Sequence, residues 1–336
     1  MAAARLWVLI AVLALGACAQ RGSIRLDPAA GEVGSVQHIK VASIRAPDPS
    51  GPGFGAEISP RLAFAEFKVS VPPERTAGTV TFPARNSVPD PATDFLTVSA
   101  GAISDEASFV TAVNAALASR PQAARDIFVF VHGFNVTFAE GLYRQAQMSH
   151  DFKAPGVSIN FAWPSAGRVS AYATDREAVL VARDGLQDLL RLLAKTKAKR
   201  IVVMGHSMGA MLVMEAMRQT ALVNDRAVLA KTDAVVLMAA DVDIDVFRAQ
   251  MGPLAARNVD VFLFTSSRDT ALRLSARLRG SSERLGAVTD ASQFADLPVT
   301  VIDLSAFQGE EDALGHFKVC LLYTSDAADD LTRLDL

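Results

Sequence analysis

The chain has 336 residues, 50% of them apolar and 21% charged, with a formal net charge of −3; this suits a globular protein and excludes a disordered or collagen-like one. A nucleic-acid-binding surface would bring an excess of positive charge. Two cysteines, Cys18 and Cys320, are too few for a disulfide framework or a thiolate zinc site.

Met1 to Arg5 is a short basic start, Leu6 to Leu15 an apolar run and Gly16-Ala17-Cys18 a small-residue cleavage site, the layout of an export signal over residues 1–17. The apolar run is about half the ~20 residues a membrane-spanning helix needs. Leu15-Gly16-Ala17-Cys18 resembles the bacterial lipobox. That resemblance implies cleavage before Cys18, acylation of the new N-terminus and, with Ala19 rather than Asp next, anchoring to the outer membrane on its periplasmic side. Acyl chains contribute about 0.8 kcal/mol per buried methylene, enough to hold a protein on a membrane without a spanning helix. Residues 18–36 are mixed and polar and read as a tether.

Strand-like runs follow at His38 to Ile44, Ala63 to Val71 and Thr79 to Phe82, set apart by the clusters Pro47 to Gly55 and Pro72-Pro73. They are expected to enter a sheet antiparallel. A helix is expected over Ser108 to Ser119. Buried strands and helices then alternate, with strands at Ile127 to Val131, Val157 to Trp163, Arg200 to Met204, Ala234 to Ala239, Val259 to Phe264 and Val299 to Ile302. Nearly continuous apolar runs of this kind belong where helices cover both faces of a sheet. Asp175 to Ala194 is the clearest helix: Thr174 and Glu177 stand at capping-box spacing, and Val179, Ala182, Leu186, Leu189, Leu190 and Leu193 form one stripe. The pattern predicts an α/β domain over residues 37–319, its mostly parallel sheet wrapped on both sides.

Phe130-Val-His-Gly-Phe-Asn135 ends a buried strand in a His-Gly-x turn of the kind that supplies an oxyanion-hole amide in lipases and esterases. The Phe134 N–H is the expected donor, while His132 and Asn135 are either turn formers or contributors to the site. Gly205-His-Ser-Met-Gly209 matches Gly-x-Ser-x-Gly directly after Ile201 to Met204 and before the helix-like Ala210 to Arg218. A tight strand-to-helix turn there lifts the Ser207 hydroxyl above the sheet edge, and the helix aims its N-terminal dipole at developing negative charge. Met208 would give the second oxyanion amide. Triads on such a turn run in the order Ser, acid, His, and of the histidines at 38, 132, 150, 206 and 316 only His316 follows Ser207. Asp269, after the strand ending at Phe264, is the leading acid; Asp241 and Asp243, after the preceding strand, are the alternative.

Together with Tyr143, Phe161-Ala-Trp-Pro-Ser165, Asp175-Arg-Glu177 and Ser267-Arg-Asp-Thr-Ala-Leu272, these motifs resemble an alpha/beta-hydrolase family of unknown substrate found widely in bacteria. The upstream Phe67-Lys-Val-Ser-Val-Pro-Pro73 and Asp90-Pro-Ala-Thr-Asp-Phe95 extend the resemblance to roughly His38 to Val319. It implies an alpha/beta-hydrolase fold and serine chemistry and names no substrate. From Cys320 to Asp329 the chain looks like a translated sequencing-library adaptor, so residues 320–336 are expected to be non-native and to stand where a final helix should follow His316.

The short stretch from Ala239 to Val259 leaves no room for a cap domain. The site is therefore expected to be open unless the N-terminal region or the Gly280 to Asp296 loop covers it. Trp163 and Phe134 either line an acyl pocket or belong to the core. The expectation is a lipid-anchored carboxylester hydrolase of the cell envelope, needing neither metal nor organic cofactor and taking a small-molecule or lipid ester, with no nucleic-acid partner. Acyl transfer, peptide cleavage and a noncatalytic lipoprotein on the same fold are the alternatives.

Overall fold

Runs of β-branched and aromatic residues near the N-terminus pair as a long hairpin. β1 (Ser35–Pro47) lies antiparallel to β2 (Phe54–Val71), and β2 antiparallel to β3 (Leu96–Ile103). The structure, a computed structural model, describes residues 21–257, 259–278 and 283–306. On its other edge β1 pairs parallel with β5 (Val157–Ala162), from Ile39 opposite Ser158 to Ser43 opposite Ala162. The sheet continues in parallel through β4 (Ile127–Val131), β6 (Ile201–His206), β7 (Thr232–Met238), β8 (Asp260–Thr265) and β9 (Val299–Asp303). Among the described residues its order is β3-β2-β1-β5-β4-β6-β7-β8-β9.

The helices are α1 (Glu106–Ala118), α2 (Phe138–Asp151), α3 (Tyr172–Ala194), α4 (Met208–Leu222), α5 (Arg226–Lys231), α6 (Ile244–Leu254) and α7 (Thr270–Leu278). α1, α3, α4 and α6 cover one face, where Phe109, Leu186, Leu212 and Phe247 join Val129, Ile159, Val203 and Val235 in the main core. α2 covers part of the other face, setting Phe138, Leu142 and Tyr143 against Ile39, Val41, Phe67 and Val69. Both faces being covered explains the unbroken apolar runs, each fully buried large side chain stabilising by about 1.5–3 kcal/mol. Among the described residues only α6 fills the interval between β7 and β8, and no helix among them is long and apolar enough to cross a membrane.

Three local expectations are corrected. Thr79 to Phe82 is not a strand: the Thr81 carbonyl accepts the Phe95 N–H, and Phe82 stacks on Tyr143 with centroids 5.5 Å apart. A backbone bond and a ring contact hold this segment, and the outer edge of β2 goes to β3, whose signal was weakened by Ala100-Gly101-Ala102. α3 starts at Tyr172, before Thr174, so the expected capping box does not form. A 3₁₀ turn over Val169–Ala171 leads straight into the helix, which leaves Thr174 already inside it. The capping box found in the structure is that of Thr137 and Glu140 at the start of α2. The apolar stripe of α3 is fully buried as expected.

The third correction concerns the tether. From residue 21 the segment is laid against the sheet: Asp27 caps a 3₁₀ turn over Pro28–Glu32, Ala30 is fully buried, and its carbonyl accepts the Ser70 hydroxyl at 2.8 Å. The Asp27 N–H donates to the Thr97 carbonyl and the Thr97 N–H to the Arg25 carbonyl, each at 2.9 Å. A sheet edge carries backbone groups that need partners, and on β3 this segment supplies some of them.

Candidate active site

Ser207 joins β6 to α4 with φ 54° and ψ −120°. A non-glycine residue held in such a conformation costs about 1–3 kcal/mol, a strain that proteins retain chiefly at functional sites. The turn closes only because its flanks lack side chains. A Cβ at Gly205 would lie 2.7 Å from the Ala210 Cα, and one at Gly209 would lie 2.4 Å from the His132 carbonyl oxygen. The Ser207 N–H donates to the Met238 carbonyl at 2.9 Å, and its carbonyl accepts the Asp241 N–H at 3.2 Å, pinning the turn to the end of β7. Serine is a favoured helix cap, yet the Ser207 side chain makes no capping bond to α4.

The loop after β4 packs directly on this turn. A Cβ at Gly133 would lie 2.9 Å from the Ser207 Cβ, so Phe134 follows a residue in contact with the serine, and Met208 opens α4 on its other side. Asn135 turns the chain at φ 58°. His132 is buried, stacked on Trp163 at 5.3 Å and 15°, with its Nδ1 donating to the Gly133 carbonyl at 3.0 Å. Burial first, and the Arg45 charge second, push His132 down to about 3. It is therefore a neutral ring that shapes the loop. Trp163 is fully buried, and its Nε1 donates to the His132 carbonyl at 2.7 Å. It belongs to the scaffold rather than to an acyl pocket, whereas Phe134 is partly exposed and meets Tyr172 edge-on at 5.1 Å.

Arg45 is the main structural residue that sequence reasoning passed over. It is 2% exposed and donates to the carbonyls of Trp163 at 2.7 Å, Gly55 at 2.8 Å and Val136 at 3.0 Å, tying the β1–β2 hairpin to the loops after β4 and β5. Burial pushes its guanidinium down to about 10, still cationic at neutral pH. Its one signal was an arginine directly after the apolar run ending at Ile44. Asp175 ties the same loops together, accepting from the Ser165 hydroxyl at 2.7 Å and the Ala166 N–H at 3.0 Å, while Ser165 Oγ accepts the Val136 N–H at 3.3 Å.

The candidate acids follow two neighbouring strands of the sheet. Asp269 is buried beyond β8, and its Oδ1 accepts the Leu272 N–H at 2.9 Å at the start of α7. Asp241 is buried beyond β7, with Oδ2 accepting from the Tyr172 hydroxyl at 2.7 Å and Oδ1 from the Ser275 hydroxyl at 2.8 Å; Oδ1 also forms an ion pair, without a hydrogen bond, with Nε of the fully buried Arg284 at 3.3 Å. Asp243 caps α6 through the Asp245 N–H at 3.1 Å and lies 3.9 Å from Arg284. Both oxygens of Asp241 are thus engaged in a network that no sequence motif announced. Ser207, Met208, Gly133 and Phe134 come together, and Asp269 stands at the same carboxyl end of the sheet. His316, Cys18 and Cys320 lie outside the described residues.

Comparison with known proteins gives one family match and several distant structural ones. Residues 105–322 match the profile of a family described as alpha/beta hydrolase of unknown function (DUF900). No curated protein matches the chain. A lipase-esterase related protein from Clostridium acetobutylicum is 11% identical, over 62% of this chain and 93% of that one, with a TM-score of 0.34. Aspergillus fumigatus lipase B is 14% identical, over 69% and 59%, at 0.39. A Rhizomucor miehei esterase is 13% identical, over 91% and 87%, at 0.36. None of the activities named for those proteins transfers to this chain at such distances.

Proposed function

Since the chain belongs to the alpha/beta hydrolases of unknown function, with residues 105–322 matching that family, we propose that it is a serine hydrolase cleaving carboxylic esters through an acyl-Ser207 intermediate. The position of Ser207 carries this reading: a strained, non-capping serine at a helix N-terminus, with the Gly133 loop packed against it. In the proposed reaction His316, the one histidine after the turn, takes the Ser207 proton as the hydroxyl attacks the ester carbonyl. The Phe134 and Met208 N–H groups receive the oxyanion. Collapse releases the alcohol, which takes the proton from His316, and water repeats the sequence to release the carboxylate. Asp269, buried at the carboxyl end of β8 where the acid of such a triad is expected, orients His316 and stabilises its imidazolium.

The same constellation can pass an acyl group to an alcohol or cut a peptide. An anchor on Cys18 would hold the reaction at the surface of the cell envelope. The test is labelling with a fluorophosphonate probe, expected for the wild type and absent in a folded Ser207→Ala. A folded wild type that takes no label overturns the reading in favour of a noncatalytic protein. Products formed with a competing alcohol separate hydrolysis from transfer, and peptide substrates identify a peptidase.

A further inference from the structure

The N-terminal segment closes on the loop that carries Phe134. Arg21 donates from Nη1 to Asn135 Oδ1 at 2.9 Å and from Nη2 to the Asn135 carbonyl at 2.8 Å and to Glu140 Oε2 at 2.6 Å. The Gly22 N–H donates to Glu140 Oε1 at 3.0 Å, and Thr137 Oγ1 donates to the Gly22 carbonyl at 3.3 Å. Glu140 is itself fixed by the capping box of α2, so the clamp closes on a rigid helix start with charge-assisted bonds. The loop after β5 forms the other side. A Cβ at Gly167 would lie 3.5 Å from Arg21 Nη2, and the next residues, Arg168 and Val169, are exposed.

Chain length turns this clamp into an orientation. Cys18 is three residues before Arg21, and an extended chain covers at most about 3.3–3.6 Å per residue, so their Cα atoms lie within about 11 Å. A loose tether over residues 18–36 would average roughly 23 Å of reach. The clamped rim, at the carboxyl end of the sheet, includes the loop whose Gly133 packs on Ser207, and it carries an exposed cation next to an exposed aliphatic side chain, a pair suited to the headgroup boundary of a bilayer.

We propose that Arg21 holds the mouth of the site against the membrane to which Cys18 is anchored, so that the enzyme takes acyl esters carried in the lipid surface. This rests on both the Ser207 ester chemistry and the acylation of Cys18. The test uses the full anchored protein on vesicles of phosphatidylethanolamine and phosphatidylglycerol. A flexible Gly-Ser insert of roughly 20 residues between Gln20 and Arg21 adds about 25 Å of mean reach and leaves the clamp intact.

Two rates are compared, for a water-soluble short-chain ester and for a long-chain ester in the same vesicles, with the N-terminal mass measured alongside. The insert is expected to leave the soluble-ester rate unchanged and to lower the vesicle-ester rate roughly tenfold, as effective concentration falls with tether length. Unchanged rates on both substrates overturn the membrane-facing mouth while leaving the ester chemistry standing. An unacylated N-terminus overturns it through the anchor, and absent soluble-ester turnover in the wild type overturns it through the chemistry.

Discussion

Tyr172 donates its hydroxyl proton to Asp241 across 2.7 Å while its ring meets Phe134 edge-on at 5.1 Å. One side chain thereby connects the end of β7 to the loop expected to receive the oxyanion. Asp241 is also tied to the serine turn, through its N–H and the Ser207 carbonyl. The network thereby links the Ser207 turn to the loop that carries Phe134.

Tyr172→Phe keeps the ring and removes the hydroxyl. The lost hydrogen bond is expected to lower stability by about 1 kcal/mol. Loosening of the Phe134 loop is expected to lower kcat by roughly fivefold, a transition-state loss of similar size, with KM unchanged. Steady-state kinetics and thermal unfolding of the variant check both, and a change confined to stability would leave Tyr172 a scaffold residue only.

The two acids should separate by phenotype. Asp269→Asn keeps a capping oxygen for the Leu272 N–H, so folding is expected to persist while turnover falls by about 10⁴-fold, as for an orienting aspartate in a serine protease triad. Asp241→Asn removes the charge opposite the fully buried Arg284 and is expected to cost stability, by about 3–5 kcal/mol if the pair behaves as other broken buried ion pairs. Denaturant titration beside ester turnover distinguishes them; a stable, inactive Asp241→Asn with an active Asp269→Asn would reverse the assignment.

Gly209→Ala is expected to abolish labelling of Ser207 by a fluorophosphonate, because the added carbon would meet two backbone carbonyl oxygens, of His132 and Val131, at 2.4 and 2.5 Å. Neither can swing aside as a side chain would. Full labelling of this variant would show that the turn tolerates a shift of β4 against α4.

Acid should act on the fold through His132. In the native protein burial holds the ring neutral down to about pH 3, whereas the unfolded chain protonates it near 6.5. The unfolded state therefore binds the extra proton as pH falls through that window, and stability drops, with a slope approaching about 1.4 kcal/mol per pH unit. Paired carboxylates such as Asp151, held down to about 2, give way at lower pH. Unfolding midpoints measured between pH 6.5 and about 5 should fall less steeply in His132→Asn than in the wild type.

Much of this architecture was legible in the residues themselves. Strands β4 to β9 announced themselves as apolar runs because covered sheet faces demand them, and Gly205 to Gly209 announced a turn because its chemistry is local, dictated by the backbone freedom of its glycines. What could not be read were contacts whose partners lie far apart in the chain. Arg45 reaches Trp163 and Val136, Tyr172 reaches Asp241, and Arg284 is neutralised by Asp241 and Asp243. Each depends on which loops the sheet order brings together. The same holds for the segment from residue 21 to 34: its polar composition argued for a tether, but the open edge of β3 and the Asn135–Glu140 corner gave its backbone and Arg21 partners to bind. Composition and periodicity determine which faces of an element are buried, whereas only tertiary structure decides which charges and backbone groups meet, because those pairings depend on distances set by the whole sheet.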